Sequence, residues 1–473
     1  MNRRYNTIAI LACATALSAC NFAPKYVRPV GAVPAELPQG GPYPPAASDA
    51  PDITRVGWRD FFTDARLRQV IETGLTNNRD LRVAAANVLQ ARAQYHVQRA
   101  DLVPSTGLNT GATYTNNIGS FGGGAAAGVS PDISAYTMSA GFSSFELDLF
   151  GRVRNLNRAA QERFFASEEA QRSTRISLIA EIATAWLTLG SDRDQLALAE
   201  ETLKTFAQTL ELTRAQFRIG VASELAARQA ETSYESARND IAVLRTRIAQ
   251  DENALNLLVG TTVPAAQLPA GLNQGQVTLD ALPAGVSSQV LLRRPDVLQA
   301  EHQLIAQNAN IGAARAAFFP RISLTATIGT ISTALSGLFA GGSFTYTGAP
   351  AAALPLFDGG RNAGNLAYAK ASQQAAVATY EKSIQTAFRE VADALATRGT
   401  IGEQIAAQDA RVTAAQVAAR LSDARYRAGV DSFLTTLDAQ RTAYAAQQQL
   451  QTTRLARASN LVELYRALGG GLD

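Results

Sequence analysis

Phe217-Arg-Ile-Gly-Val-Ala-Ser-Glu-Leu225 recurs as Tyr426-Arg-Ala-Gly-Val-Asp-Ser-Phe-Leu434, 209 residues further along the chain. Each copy carries a Gly-Val pair, and glycine permits a tight turn that sends the chain back on itself. Working outward at the same offset, Gly151-Arg152 matches Gly360-Arg361, Gly190 matches Gly399, and Gly260 matches Gly469. Upstream, residues 78–104 align with residues 294–320 at an offset of 216, so that Asp80 falls on Asp296 and Pro104 on Pro320. Landmarks that keep their order and spacing mark a duplicated unit of about 210 residues.

Each unit has the same grammar. A helix of about 25 residues ends just before Pro104 or Pro320. A stretch rich in Gly, Ser, Thr and aromatics follows, and then Gly-Arg opens a long helical segment. No proline interrupts Gly151 to Gly220 or Gly360 to Gly429. A continuous helix over either segment would be about 100 Å long. The Ala, Gln, Glu and Arg content suits a helix, with Gly190 and Gly399 expected to mark an irregularity within it. The Gly220 and Gly429 turns then send a second helix back antiparallel. No helix is apolar all round, so none reads as a membrane-spanning helix.

The middle stretches alternate with a period of two. Ser134–Leu147 does so weakly, and Ile322, Leu324, Ala326 and Ile328 share one face with Ser and Thr on the other. Two strands per stretch fit, joined by Gly/Ser loops at 119–130 and 336–342. Strands of about 10 residues with this alternation match transmembrane β-strands; an ordinary hairpin on a soluble domain is the bland alternative. Four strands cannot close a barrel, and open edges are not tolerated in lipid. Membrane-spanning strands would therefore have to be shared among chains, and a trimer would supply twelve. The fold class is thus mainly α and internally duplicated, with four strands that form a β-barrel segment if they span a membrane.

Composition narrows function by exclusion. Of 473 residues, 47% are hydrophobic and 18% charged, which is a folding composition. Lys+Arg of 43 against Asp+Glu of 40 leaves no basic excess for a nucleic-acid partner. The two His (His96, His302) and two Cys (Cys13, Cys20) cannot build a Cys/His metal cage. None of Lys25, Lys204, Lys370 and Lys382 follows a glycine, so a Walker phosphate loop is absent. No catalytic constellation emerges, and neither an enzyme nor a metal or cofactor is expected.

The N-terminus carries an address. Arg3 and Arg4 precede an apolar stretch from Ile8 to Leu17 that is too short to span a bilayer. Residues 1–19 read as a signal peptide. Leu17-Ser18-Ala19-Cys20 resembles the bacterial lipobox, which implies a diacylglycerol and an N-acyl chain on Cys20. Several acyl chains hold firmly where one does not. Asn21 stands where the inner-membrane retention signal has Asp, so outer-membrane sorting is implied. Residues 20–60, rich in Pro, Gly and Ala, read as a lipid-anchored extended tether. The first repeat covers 61–284, with strands in about 105–147 and a helical hairpin at 152–259. The second covers 285–473, with strands in about 321–356 and a hairpin at 361–468.

Further strings carry a resemblance: Phe145-Glu-Leu-Asp-Leu-Phe-Gly-Arg152, Leu292-Arg-Arg-Pro-Asp-Val297, Phe319-Pro-Arg-Ile-Ser-Leu324, Pro355-Leu-Phe-Asp-Gly-Gly360 and Leu437-Asp-Ala-Gln-Arg441. With the lipobox they resemble the TolC-like outer-membrane factors, in the lipoprotein (NodT-type) branch of resistance-nodulation-division (RND) efflux systems. The resemblance covers nearly the whole mature chain. It implies a homotrimer with a twelve-stranded outer-membrane barrel and a twelve-helix periplasmic tunnel. It also implies a periplasmic adaptor (membrane fusion protein) and an inner-membrane RND pump as partners, with outer-membrane lipid around the barrel. The expected function is passive conduction of drugs or other small molecules out of a Gram-negative cell. A duct for type I protein secretion, or a non-pore lipid-anchored scaffold, are the alternatives.

Leu434, Asp438 and Arg441 are spaced i, i+4, i+7 and so share a helix face. The resemblance implies that they line a closed periplasmic aperture with interchain charge pairs. The aligned part of the first repeat, Leu225 to Glu231, lacks this set. Gly220, Val221 and Ser223, with Gly429, Val430 and Ser432, match the family's adaptor-contact tips. Phe145, Phe150, Phe318, Phe319, Phe344 and Tyr346 flank the strands and are candidates for interfacial aromatic belts. His96 and His302 read as helix-surface polar residues.

Overall fold

The computed structural model describes residues 21–44, 56–115, 133–272, 277–279 and 287–470. The signal peptide, Cys20 and the 119–130 loop lie outside the described residues.

In chain order the elements are α1 (Trp58–Phe61), α2 (Ala65–Asn77), α3 (Arg79–Ala100), β1 (Gly107–Thr115), β2 (Ile133–Leu147), α4 (Arg152–Arg218), α5 (Glu224–Val259), α6 (Pro295–Ala316), β3 (Arg321–Ser332), β4 (Phe344–Ala353), α7 (Arg361–Arg427) and α8 (Phe433–Ala467). The duplication survives in the helix lengths to within one residue. α3 and α6 both have 22 residues, α4 and α7 both have 67, and α5 and α8 have 36 and 35. No described helix is long and apolar enough to cross a membrane.

The chain divides into two compact units. One comprises Met1–Pro29, Asn87–Ser167 and Gln299–Tyr380. It holds a four-stranded antiparallel sheet in the order β1-β2-β3-β4. Each hairpin is closed within its own repeat, and β2 pairs with β3 to join the repeats, from Tyr136↔Ser332 to Leu147↔Ile322. A bulge between Phe142 and Phe145 puts Ser144 at φ 57, and its N–H donates to Thr325 Oγ1 at 3.0 Å. Of the strand residues whose burial is described, only Ala135 is buried. β1 and β4 are both edges. In the same unit α4 lies on α6 through Ala159, Ala306 and Ala309, small side chains that let helices approach closely.

The other unit comprises Val30–Ala86, Glu168–Leu298 and Glu381–Asp473. Its core gathers Leu67, Ile71, Ile182, Leu187, Leu189 and Leu255, with Phe61 stacked on Tyr465 at 4.2 Å between centroids. Each such side chain contributes about 1.5–3 kcal/mol by leaving water. An ion network around the buried Arg294 closes it. Arg294 reaches Asp296 (2.7 Å), Glu390 (2.9 Å) and the Ala467 carbonyl (2.6 Å), and Arg466 also reaches Glu390 (3.2 Å).

Two readings are refined by the structure. The N-terminal stretch, which reads as an extended tether, is docked on the rest of the chain over its described residues. Phe22 stacks on Phe319 at 4.6 Å, and Glu301 accepts from Arg28 and Tyr26 at 2.7–2.9 Å. Trp58 and Phe61 are buried. The reason lies in the extended backbone itself, whose carbonyls outside the Gly40–Tyr43 turn are left to accept from side chains elsewhere in the chain. Asn308 donates to Pro24 O, Arg315 to Phe22 O and Ser288 to Ala35 O. Second, Gly190 and Gly399 sit inside unbroken helices. Each marks a crossing chain instead. A methyl at 190 would press on Pro269, and one at 399 would overlap the Pro42 carbonyl.

Candidate functional site: the hairpin tips

The two helical hairpins turn through the same backbone. α4 ends with Gly220 at φ 79 and α7 ends with Gly429 at φ 74. The Val221 N–H bonds back to Gln216 O, and the Val430 N–H to Arg425 O, both at 2.9 Å. This is the left-handed glycine stop that satisfies the last carbonyls of a helix. Ser223 then caps α5 by accepting from Ala226 N (3.2 Å), and Ser432 caps α8 by accepting from Thr435 N (3.3 Å). The six tip residues named from sequence therefore form two equivalent corners, with Val221 and Val430 exposed.

The side chains around the corners differ. The first tip exposes Phe217, Ile219, Val221 and Leu225. Its charges close on one another: Glu231 pairs with Arg214 (2.8 Å) and Arg228 (2.9 Å), and Arg228 also with Glu224 (3.3 Å). At the second tip Arg425 and Asp431 bridge the turn at 2.7 Å, and the Arg425 guanidinium holds the Asp431 carboxyl below its ordinary pKa. Tyr426 folds inward, where its hydroxyl donates to Gln216 Oε1 of the first hairpin.

Leu434, Asp438 and Arg441 lie together on the exposed side of α8. The adjoining side buries Phe433 and Leu437 against Leu210 and Ala230. Asp438 and Arg441 do not pair with each other. Arg441 Nε donates to Ser233 Oγ on α5 at 2.8 Å, and Asp438 has no ion pair among the described residues. Two further bonds join the hairpins: Gln440 Nε2 donates to Thr209 Oγ1 (3.3 Å), and the Tyr444 hydroxyl to Asp240 (3.1 Å). Burial, then the Asp240 charge, pushes the Tyr444 hydroxyl pKa up. Sequence reading missed these clasps because their partners are 204 and 231 residues apart and no local spacing announces them.

The first hairpin also contains Asp251, pushed up to about 6 by burial and then by the neighbouring Asp192 carboxylate, with Arg247 opposing. Of the strand-flanking aromatics, Phe344 and Tyr346 are exposed on β4, whereas Phe150 stacks on Phe319 at 4.9 Å. His302 Nδ1 lies 2.8 Å from Glu162, a helix-to-helix contact.

A family model described as outer membrane efflux protein matches residues 70–261 and 286–470, one span in each repeat. The toluene efflux pump outer membrane protein TtgC of Pseudomonas putida is 46% identical over 458 residues, covering 96% of this chain and 93% of that protein. The cation efflux system protein CusC of Escherichia coli is 41% identical over 463 residues, covering 97% and 98%. The open state of the Neisseria gonorrhoeae MtrE outer membrane channel is similar with a TM-score of 0.83 at 38% identity, covering 96% of this chain and 99% of that one.

Proposed function

We propose, because this chain belongs to the outer membrane efflux protein family, that three copies form the passive outer-membrane duct of a tripartite small-molecule efflux system. The observation that carries the assembly is the four-stranded sheet with two unpaired edges. Each unpaired N–H or C=O in hydrocarbon costs several kcal/mol, so β1 of one copy must pair with β4 of the next. Three copies supply twelve strands.

The helices support the same arrangement. α3 has no buried residue and exposes Val83, Leu89 and Val97, whereas its repeat mate α6 buries Val297, Leu304 and Ile311. Within the chain Ala159 of α4 lies on Ala306 and Ala309 of α6. The matching positions are Tyr368 of α7 with Gln90 and Ala93 of α3. A neighbouring copy would supply the contact that α3 lacks.

Leu434, Asp438 and Arg441 would ring the aperture, with Asp438 free to pair across copies. Adaptor binding at the tips would bias the closed-to-open equilibrium. The driving pump would be an inner-membrane transporter of the RND type, and Cys20 would carry the lipid anchor. The relatives are named for toluene and for cations, and a wide passive duct has little cargo choice of its own. A photo-crosslinker at position 432 in living cells tests the docking. Capture of a periplasmic adaptor supports it. Sedimentation with the outer membrane but no adaptor captured would overturn the tip assignment.

A further inference from the structure

The seam between copies has a counterpart inside the chain. β2 and β3 meet where the first repeat hands over to the second, and at the base of the sheet Leu147 lies opposite Ile322 and Phe145 opposite Leu324. β4 and the β1 of a neighbouring copy would meet where the second repeat hands over to the first. The duplication carries one joint onto the other. α3 and α6 start 216 residues apart, which takes Ile322 and Leu324 to Thr106 and Leu108. α4 and α7 start 209 residues apart, which takes Leu147 and Phe145 to Leu356 and Leu354. Going up the strands from there, antiparallel order sets Ala352 opposite Thr110, Pro350 opposite Ala112 and Gly348 opposite Tyr114. The β2 bulge has no counterpart in β4, which pairs with β3 without interruption from Arg321↔Ala353 to Thr330↔Phe344, so the base of the joint sets the register.

Main-chain geometry leads to the same parity by a separate route. The Ile331 N–H donates to Ser343 O at 2.9 Å, directly beyond the Thr330↔Phe344 pair. Bonded pairs alternate along an antiparallel ladder, so Thr345, Thr347, Ala349 and Ala351 turn their N–H and C=O to β3. Tyr346, Gly348, Pro350 and Ala352 turn theirs to the free edge. Pro350 fits this placement, because a residue without an N–H costs β3 no bond there. Leu108, Ala140, Ile328 and Tyr346 form one row across one face of the sheet. β1 runs opposite to β4, so on β1 this same face also turns its main chain outward, at Leu108, Thr110, Ala112 and Tyr114. Outward groups must meet outward groups, so even-numbered residues face even-numbered ones, as the duplication requires. A slip of one residue would set the apolar face of one copy against the hydroxyl face of the next. A slip of two would put Pro350 or Tyr346 opposite the exposed Tyr114 ring, where Gly348 leaves open space.

We propose that copies join edge to edge in this one register, with Ala352, Pro350 and Gly348 of β4 opposite Thr110, Ala112 and Tyr114 in β1 of the neighbouring copy. The inference rests on the duct reading above and fixes its seam. In this register Ala349 faces Thr113 at a position without mutual hydrogen bonds, where Cα atoms are about 4.5 Å apart and a disulfide can form. Diagonal neighbours are about 7–8 Å apart. The test oxidises full-length Ala349→Cys with Thr113→Cys in outer-membrane fractions and reads non-reducing gels. The expected result is a ladder of up to three linked copies that collapses with reductant. It should form at least fivefold faster than with Ala349→Cys and Gly111→Cys, or with Ala349→Cys and Thr115→Cys. A faster ladder from either offset pair would overturn the register. So would no ladder from any pair while light scattering in detergent gives a three-copy mass. A one-copy mass would instead bring down the duct reading, and the seam with it. If the first variant does not assemble, Ala351→Cys with Gly111→Cys reads the same register, and a ladder no faster than from the offset pairs overturns it.

Discussion

The two hairpin tips have one backbone and two chemistries. Both stop at a left-handed glycine, bond the following Val N–H back to the helix, and restart on a serine cap. The first tip satisfies its charges internally, through Glu231 with Arg214 and Arg228, and turns apolar residues outward. The second buries Phe433 and half-buries Tyr426 toward the first hairpin and leaves Asp438 without an ionic partner among the described residues. Duplication therefore conserved the corner, which is a steric matter. It released the faces, which can be altered without unmaking the turn.

The largest test of that contrast is a matched pair of truncations. Phe433→Ala should destabilise the protein by about 3–5 kcal/mol, since a buried aromatic leaves a cavity. Glu224→Ala, at the same place in the first repeat, should stay within about 0.5 kcal/mol. Thermal unfolding in detergent compares them, and equal losses would break the asymmetry. Next, Asp438→Ala with Arg441→Ala should raise single-channel opening about fivefold, equivalent to about 1 kcal/mol. The matched pair in the first hairpin, Gln229→Ala with Thr232→Ala, should leave it unchanged. A closed baseline in the first variant would remove the aperture from α8.

The caps should behave alike where the faces do not. Ser223→Ala and Ser432→Ala should each lower stability by about 1 kcal/mol, the ordinary loss of a serine N-cap. A large difference between them would mean that the corners are not equivalent. The smallest effect is one of pH. Asp251 is raised from 3.8 to about 6 in the folded chain, so its favourable contribution is complete at low pH and is lost as pH rises through about 6. The matching residue in the second hairpin is Asn460, which donates to Ala394 O at 3.0 Å and does not titrate. Asp251→Asn should make the first hairpin like the second and flatten stability between pH 5 and pH 7, checked by melting at both. An unchanged slope would assign the dependence elsewhere.

By itself, the sequence determined the duplication, the four strands, the four long helices and their Gly-Val corners. These are local consequences. Proline-free Ala-rich runs make helices, period-two alternation makes strands, and glycine is favoured where the chain must adopt a left-handed turn. It also determined that Leu434, Asp438 and Arg441 share a face, because helical spacing alone settles that. Only the tertiary structure decided what each face meets. The N-terminal stretch read as an extended tether, since proline and alanine announce no partner, and its carbonyls find donors on α6 and at Ser288. Gly190 and Gly399 looked like helix faults, yet they are slots for crossing chains. The clasps from Gln440 and Tyr444 join residues more than 200 positions apart. Such contacts depend on how the two repeats pack, and packing is a property of the folded surface that no window of sequence contains.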